Sequence, residues 1–205
     1  MLKILHGILF TTLFIAGCDP ALTKVVQTDS DSDTQYIYYL DKDSLRQGES
    51  QTIVQGELYE SSQYTDGLLH GNRFIYYPSG EIEIKEYYEN GVLEDTLRIF
   101  YENGGTKLKL SYSEGILSGL SFKYYDTGDL QEVVTFENNE ENGPFVEYYP
   151  NGKLMWEGQY LNGDNEYGEL LHYDENGTLI KKMQCDSMAI CKTIWSAENG
   201  DIELL

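Results

Sequence analysis

Asn72–Gly91 reads NRFIYYPSGEIEIKEYYENG, and two short apolar runs separated by Pro78-Ser79-Gly80 fill it. The second run ends on Asn90-Gly91, a dipeptide in which both residues tolerate positive φ and which therefore closes tight hairpins. Within that run Ile82, Ile84 and Tyr88 alternate with Glu81, Glu83 and Lys85, the period of a half-buried strand. The first run carries apolar side chains on both faces, Phe74 and Tyr76 on one and Ile75 and Tyr77 on the other. The whole stretch is one copy of a longer pattern. Tyr77, Tyr101, Tyr125, Tyr149 and Tyr173 recur at intervals of 24 residues, and Gly80, Gly104, Gly128 and Gly152 follow the first four. Tyr64, Tyr88, Tyr112, Phe136 and Tyr160 form a second aromatic column in the same phase.

A repeat of strand, turn, strand and turn predicts an all-β protein, an elongated single antiparallel sheet of stacked β-hairpins. At about 4.8 Å per strand it would extend over roughly 50–60 Å. The alternation returns in Leu108, Leu110 and Tyr112 against Lys107, Lys109 and Ser111. It returns again in Leu130, Val134 and Phe136 against Asp129, Gln131 and Thr135, and in Leu154, Trp156 and Tyr160 against Lys153, Glu157 and Gln159. These rows predict one dry face and one wet face. Gly67, Gly71, Gly91, Gly115, Gly119, Gly143, Gly163 and Gly168 read as the second turn of each unit, with Asp95 and Asn139 replacing glycine. No apolar recurrence at helical spacing follows residue 36. A lone hairpin is marginally stable, so the tyrosine columns are expected to hold neighbouring units together before they touch any ligand.

The domain organisation follows from composition. Lys3, the apolar run Ile8–Ile15 and then Ala16, Gly17 and Cys18 resemble a bacterial lipoprotein signal with its lipobox. That resemblance implies removal of residues 1–17 as a signal helix, acyl chains such as palmitate on Cys18, and a membrane anchor for the mature chain. Asp19 resembles the enterobacterial signal for inner-membrane retention, a rule that differs between bacterial groups, so the choice of inner or outer membrane stays open. Residues 18–35, rich in Ser and Asp and without an aromatic before the end, are expected to be a flexible tether. Residues 36–205 form the repeat domain, clearest over 53–177, with segments 36–50 and 186–205 as end caps.

The formal charge is −21, and loss of Lys3 with the leader makes it −22. Such a field repels phosphate backbones, so nucleic acid is excluded as a partner. Cys185 and Cys191 fit a disulfide in an oxidising compartment, stapling the last cap; two free thiols are the alternative. Chemistry is otherwise sparse. The two histidines beyond the leader, His70 and His172, fall in different repeats, and no nucleophile elbow, zinc-protease helix, phosphate loop or dinucleotide fingerprint occurs. Asp29, Asp31 and Asp33 echo the start of a calcium loop that lacks its glycine and its final glutamate. No catalytic, cofactor or metal-binding residue is therefore expected, and the chain reads as a protein that is not an enzyme.

The run Gly143–Leu154, GPFVEYYPNGKL, followed by Tyr160-Leu161-Asn162-Gly163, resembles the variant MORN repeat of bacterial proteins labelled antitoxins of the YwqK family. Leu69-His70-Gly71 is similar to the His-Gly step of the eukaryotic MORN motif. The resemblance spans about residues 50–180 and implies hairpin arrays used for protein association or scaffolding, with no catalytic residues. An exported, lipid-anchored chain fits poorly with neutralising a cytoplasmic toxin. The reading is a non-catalytic protein-interaction or scaffold module at the bacterial cell envelope, with a protein partner and edge-to-edge pairing of two copies left open. A carbohydrate or cell-wall-binding module is one alternative, because tyrosine-rich hairpin repeats also occur in choline-binding modules and rings stack on sugars or cations, and an antitoxin-like protein, as the family label implies, is the other.

Overall fold

The computed structural model describes residues 22–202, and all seventeen strands found there pair antiparallel. Residues 1–17, expected to be a signal segment, and Cys18 lie outside the described residues. Two compact units divide the chain, one ending at Glu94 and one starting at Asp95.

In the first unit β1 (Thr23–Asp29), β2 (Thr34–Leu40), β3 (Gly48–Val54), β4 (Glu57–Thr65), β5 (Leu68–Tyr76) and β6 (Ile82–Glu89) each pair with the next. β7 (Val92–Phe100) carries the chain into the second unit, where it pairs with β8 (Thr106–Ser113). β9 (Ile116–Leu117) and β10 (Gly119–Tyr124) share the other side of β8. The meander continues through β11 (Leu130–Glu137), β12 (Glu140–Tyr148), β13 (Leu154–Tyr160), β14 (Glu166–Tyr173), β15 (Leu179–Cys185), β16 (Cys191–Ser196) and β17 (Gly200–Asp201).

Residues 23–35 are not a tether. They make the β1–β2 hairpin, in register from Thr23 opposite Leu40 to Asp29 opposite Thr34. The Ser/Asp run is its turn, in which Asp29 accepts hydrogen bonds from the Asp31 amide at 3.0 Å and the Ser32 hydroxyl at 2.8 Å. Sequence reading missed β1 because only Val25 of its seven residues is buried, so its polar side chains imitate coil.

The glycines form two columns rather than one. The first closes two-residue turns in which both residues have positive φ, as Asn90 (50°) with Gly91 (82°) and Asn138 (54°) with Asn139 (70°). These turns are tied to their neighbours, since the Gly91 amide donates to the Leu69 carbonyl at 2.7 Å and the Asn139 amide to the Leu117 carbonyl at 2.9 Å. The second column, Gly71, Asp95, Gly119, Gly143 and Gly168, lies inside strands and also has positive φ. The first four members face rings of the second aromatic column: Gly71 faces Tyr88, Asp95 Tyr112, Gly119 Phe136 and Gly143 Tyr160. A ring laid over a strand residue that bends the backbone restores the packing that a glycine cannot supply. At Gly168 the facing residue is Cys185.

The opposite ends of the hairpins are five-residue turns. Tyr77, Tyr101, Tyr125 and Tyr149 each open one, donating the amide to the carbonyl four residues on at 2.8–2.9 Å. One inserted residue breaks the fifth step. Asp174 occupies the position expected of Tyr173, its amide bonded to the Thr178 carbonyl at 2.9 Å, while Tyr173 is the strand-end residue equivalent to Tyr148.

Candidate binding surface

The first tyrosine column is structural. Tyr101, Tyr125 and Tyr149 donate their hydroxyls to the carbonyls of Tyr124, Tyr148 and Tyr173 at 2.7, 2.7 and 2.8 Å. Asn103 and Asn151 make a parallel set of rungs, reaching the carbonyls of Asp126 at 3.1 Å and Glu175 at 2.8 Å. Where Asp174 replaces tyrosine it closes its own turn, accepting the amides of Asn176 and Thr178, and these bonds hold its carboxyl below the usual range. Asp186 repeats the device between β15 and β16. Tyr173 instead donates to Glu157 at 2.5 Å, and that bond, with burial and the Glu157 charge, pushes its hydroxyl up to about 12.

The expected wet face is less bare than its alternation implied. Lys85 stands over the Phe74 ring at 5.9 Å and Lys109 over Phe122 at 5.6 Å, so lysine stems shelter the first-strand aromatics.

The other face carries the second aromatic column and differs between the units. In the first unit its central row runs through Ser50, Ser62, Arg73 and Glu86, directly opposite one another on β3 to β6. Arg73 donates to Glu60 and to Glu86, both at 2.7 Å, and Tyr88 donates to Glu86 at 3.2 Å. The bond to Glu60, against the cost of burial, raises the pKa of the guanidinium further above its ordinary value. Charged groups on three adjacent strands thus satisfy one another.

In the second unit the corresponding row is Ser121, Val134, Phe145 and Gly158, and Leu170 pairs with Met183. Val134, Phe145, Leu170 and Cys185 form the buried cluster, covered by Phe136, Trp156, Tyr160, Met183 and Cys191. A Cβ on Gly158 would overlap Leu170 and lie 3.0 Å from Phe145, so glycine here makes room for two large side chains. The Cys185–Cys191 disulfide ties directly opposed residues of β15 and β16 and completes the cluster where the ring column ends.

Above Phe145 and Leu170 lies an open groove of about 450 Å³. Trp156 and Tyr160 line it; Trp156 stacks flat on His172 at 4.0 Å and Tyr160 on Phe145 at 4.3 Å. Glu147, Glu166 and Lys181 stand at its rim. Burial raises the Glu147 carboxyl, and the charges of Glu132, directly opposite, and of Glu166 raise it further. Burial also raises the Tyr160 hydroxyl, with Glu141, Glu132, Glu147 and Glu166 adding to it. His172 is held below the usual histidine range by burial and then by Lys181, so its ring is the neutral plate of the Trp156 stack.

His70 accepts the Asn90 amide at 3.3 Å, a turn contact. Among the described residues no group of three or more His, Cys, Asp or Glu side chains is placed to hold a metal ion, and Asp29, Asp31 and Asp33 belong to the β1–β2 turn. The groove was not found from the sequence because β12, β13, β14 and β15 each contribute to it. The column that holds Phe145 varies from repeat to repeat, Arg73, Leu97, Ser121 and Phe145, so it carries no signal of a groove.

No curated protein matches the chain. Five stretches match the MORN repeat variant: 69–90, 82–97, 117–138, 141–162 and 166–184. The first covers β5, its five-residue turn and β6; the last three cover β9 to β11, β12 with β13, and β14 with β15. Together they make up less than half of the chain, and what this chain is similar to in these five places is the MORN repeat variant, a hairpin bounded by tight turns.

Proposed function

We propose that the protein is a non-catalytic interaction or scaffold module, held at the bacterial cell envelope by lipid on Cys18 and presenting the groove face of its second unit to a protein partner. The observation that carries this reading is a division of labour among the polar groups. Tyr101, Tyr125, Tyr149, Asn103, Asn151 and Asp174 of the turns are engaged in bonds that join or close repeats. The groove between Trp156 and Tyr160 is open and rimmed by carboxylates. Such a surface has concavity and aromatic anchors, the features of association sites, and it lacks a nucleophile paired with a base.

The anchor is tested with Cys18→Ser. Detergent phase partition should move the folded protein from the detergent-rich to the aqueous phase, and unchanged membrane retention would contradict lipid attachment. A carbohydrate-binding reading draws support from the flat Trp156–His172 plate beside carboxylates, the kind of platform on which sugar rings stack. Retention on purified peptidoglycan that saturates and is lost on Trp156→Ala would favour it over a protein partner.

A further inference from the structure

The repeats allow the same position of the sheet to be compared in two chemical settings. Arg73 and Phe145 stand three periods apart in sequence, each two residues beyond a positive-φ glycine, Gly71 and Gly143. Each lies opposite the second strand of its own hairpin, Arg73 facing Glu86 and Phe145 facing Gly158. Glu60 and Glu132 are likewise three periods apart, as are Tyr88 and Tyr160. In the first unit the carboxylates have an internal cation, since Arg73 binds both Glu60 and Glu86 and Tyr88 adds a hydrogen bond.

In the second unit Glu60 is kept as Glu132 and the ring as Tyr160, whereas Arg73 and its other carboxylate, Glu86, become Phe145 and Gly158. Glu132 lies directly opposite Glu147, an arrangement in which like charges repel. Its cationic contact is Lys123 at 3.8 Å, whose side chain is 45% exposed. Lys181 is the positive group of the groove lining, which also holds Glu147 and Glu166. The fields of Glu132, Glu141, Glu147 and Glu166 all reach Tyr160. An aromatic wall with converging carboxylates is complementary to a planar cation, which stacks on a ring face while donating to carboxylate oxygens.

We propose that the groove between Trp156 and Tyr160 receives an arginine side chain of a basic segment of a partner protein, whose charge complements the carboxylates that line it. The guanidinium lies against the Tyr160 or Trp156 ring and donates to Glu147 and Glu166. This rests on the reading of the protein as an interaction module and names the chemistry of what it binds.

The test uses the full chain in mild detergent and a short synthetic peptide of arginines spaced by glycine and serine, with a citrulline peptide of the same length as the neutral isostere. Calorimetry should give saturable one-to-one binding of the arginine peptide, and the citrulline peptide should bind at least about tenfold more weakly. Glu147→Gln with Glu166→Gln should cost at least about tenfold, whereas Glu102→Gln with Glu175→Gln, on exposed turns of the same unit, should leave affinity within about twofold. Because the first pair relieves repulsion, its variant should fold, as circular dichroism would verify. Equal losses in the two double variants would mean diffuse attraction to an acidic protein and overturn the proposal. So would equal binding of citrulline, or no binding. If these peptides fail while crosslinking in cells still joins a protein to this face, the arginine site falls and the module reading stands; if both fail, both fall.

Discussion

Gly158 shows how one residue type can be dictated by neighbours instead of by backbone conformation. It lacks the positive φ of the turn glycines, yet a methyl group there would meet Leu170 and Phe145, two of the few buried side chains of the second unit. Gly158→Ala should therefore destabilise by about 1–3 kcal/mol through overpacking, although alanine ordinarily suits a strand better than glycine; urea unfolding checks this. Tyr125→Phe removes a hydroxyl whose bond to the Tyr148 carbonyl joins two repeats, and it should cost about 0.5–1.5 kcal/mol in the same measurement. Arg73→Met leaves Glu60 and Glu86 facing each other without their shared cation. Their side chains are only 20% and 12% exposed, so a loss of about 1.5–3 kcal/mol is expected.

Among the elements, the outermost hairpins depend on devices that the inner ones do not need. The last hairpin has a disulfide where earlier repeats have a ring over a bent strand, and this bridge closes a loop between residues six apart in sequence. Reduction, or Cys185→Ala with Cys191→Ala, should lower stability by about 2–3 kcal/mol in the chain-entropy picture, and hydrogen exchange should accelerate first in β16 and β17. Sequence reading recovered the inner hairpins because their turn chemistry is explicit: Asn90-Gly91 and the Tyr-Pro-Asn-Gly run at Tyr149 can close only particular turns. It missed β1 because an edge strand buries little, and it placed Tyr173 in the wrong column because one inserted residue shifts the phase without altering composition. Asp174, followed by Asn176-Gly177, was the available signal, since an aspartate at that place can bond its own turn. The two glycine columns were merged for a related reason, both requiring positive φ while serving different geometries.

For the whole molecule, charge is the dominant property, and its effect on stability has a definite sign. Glu141 and Glu147 are raised by burial first and by neighbouring carboxylates second, so the folded chain holds their protons more tightly than the unfolded chain does. Their contribution is fully present below the ordinary glutamate pKa and is lost as pH rises through their raised values. Asp29, Asp41 and Asp174 act in the opposite direction, but their lowered pKa values place that loss at more acidic pH. Urea midpoints should consequently rise on going from neutral pH to just above the ordinary glutamate range, and Glu147→Gln should flatten that rise. The same repulsion that costs stability would be relieved by the cation proposed for the groove, which ties the energetics of the fold to that proposal.

The central claim, that this face is where the protein meets a partner, is tested most directly by site-specific photocrosslinking of the full chain in its own cells. A photoreactive residue in place of Glu166, on the groove rim, is compared with one in place of Glu169, on the opposite face of the same strand. Position 166 should give a discrete crosslinked protein and position 169 none. Crosslinks of equal yield from both positions, or none from 166, would contradict it.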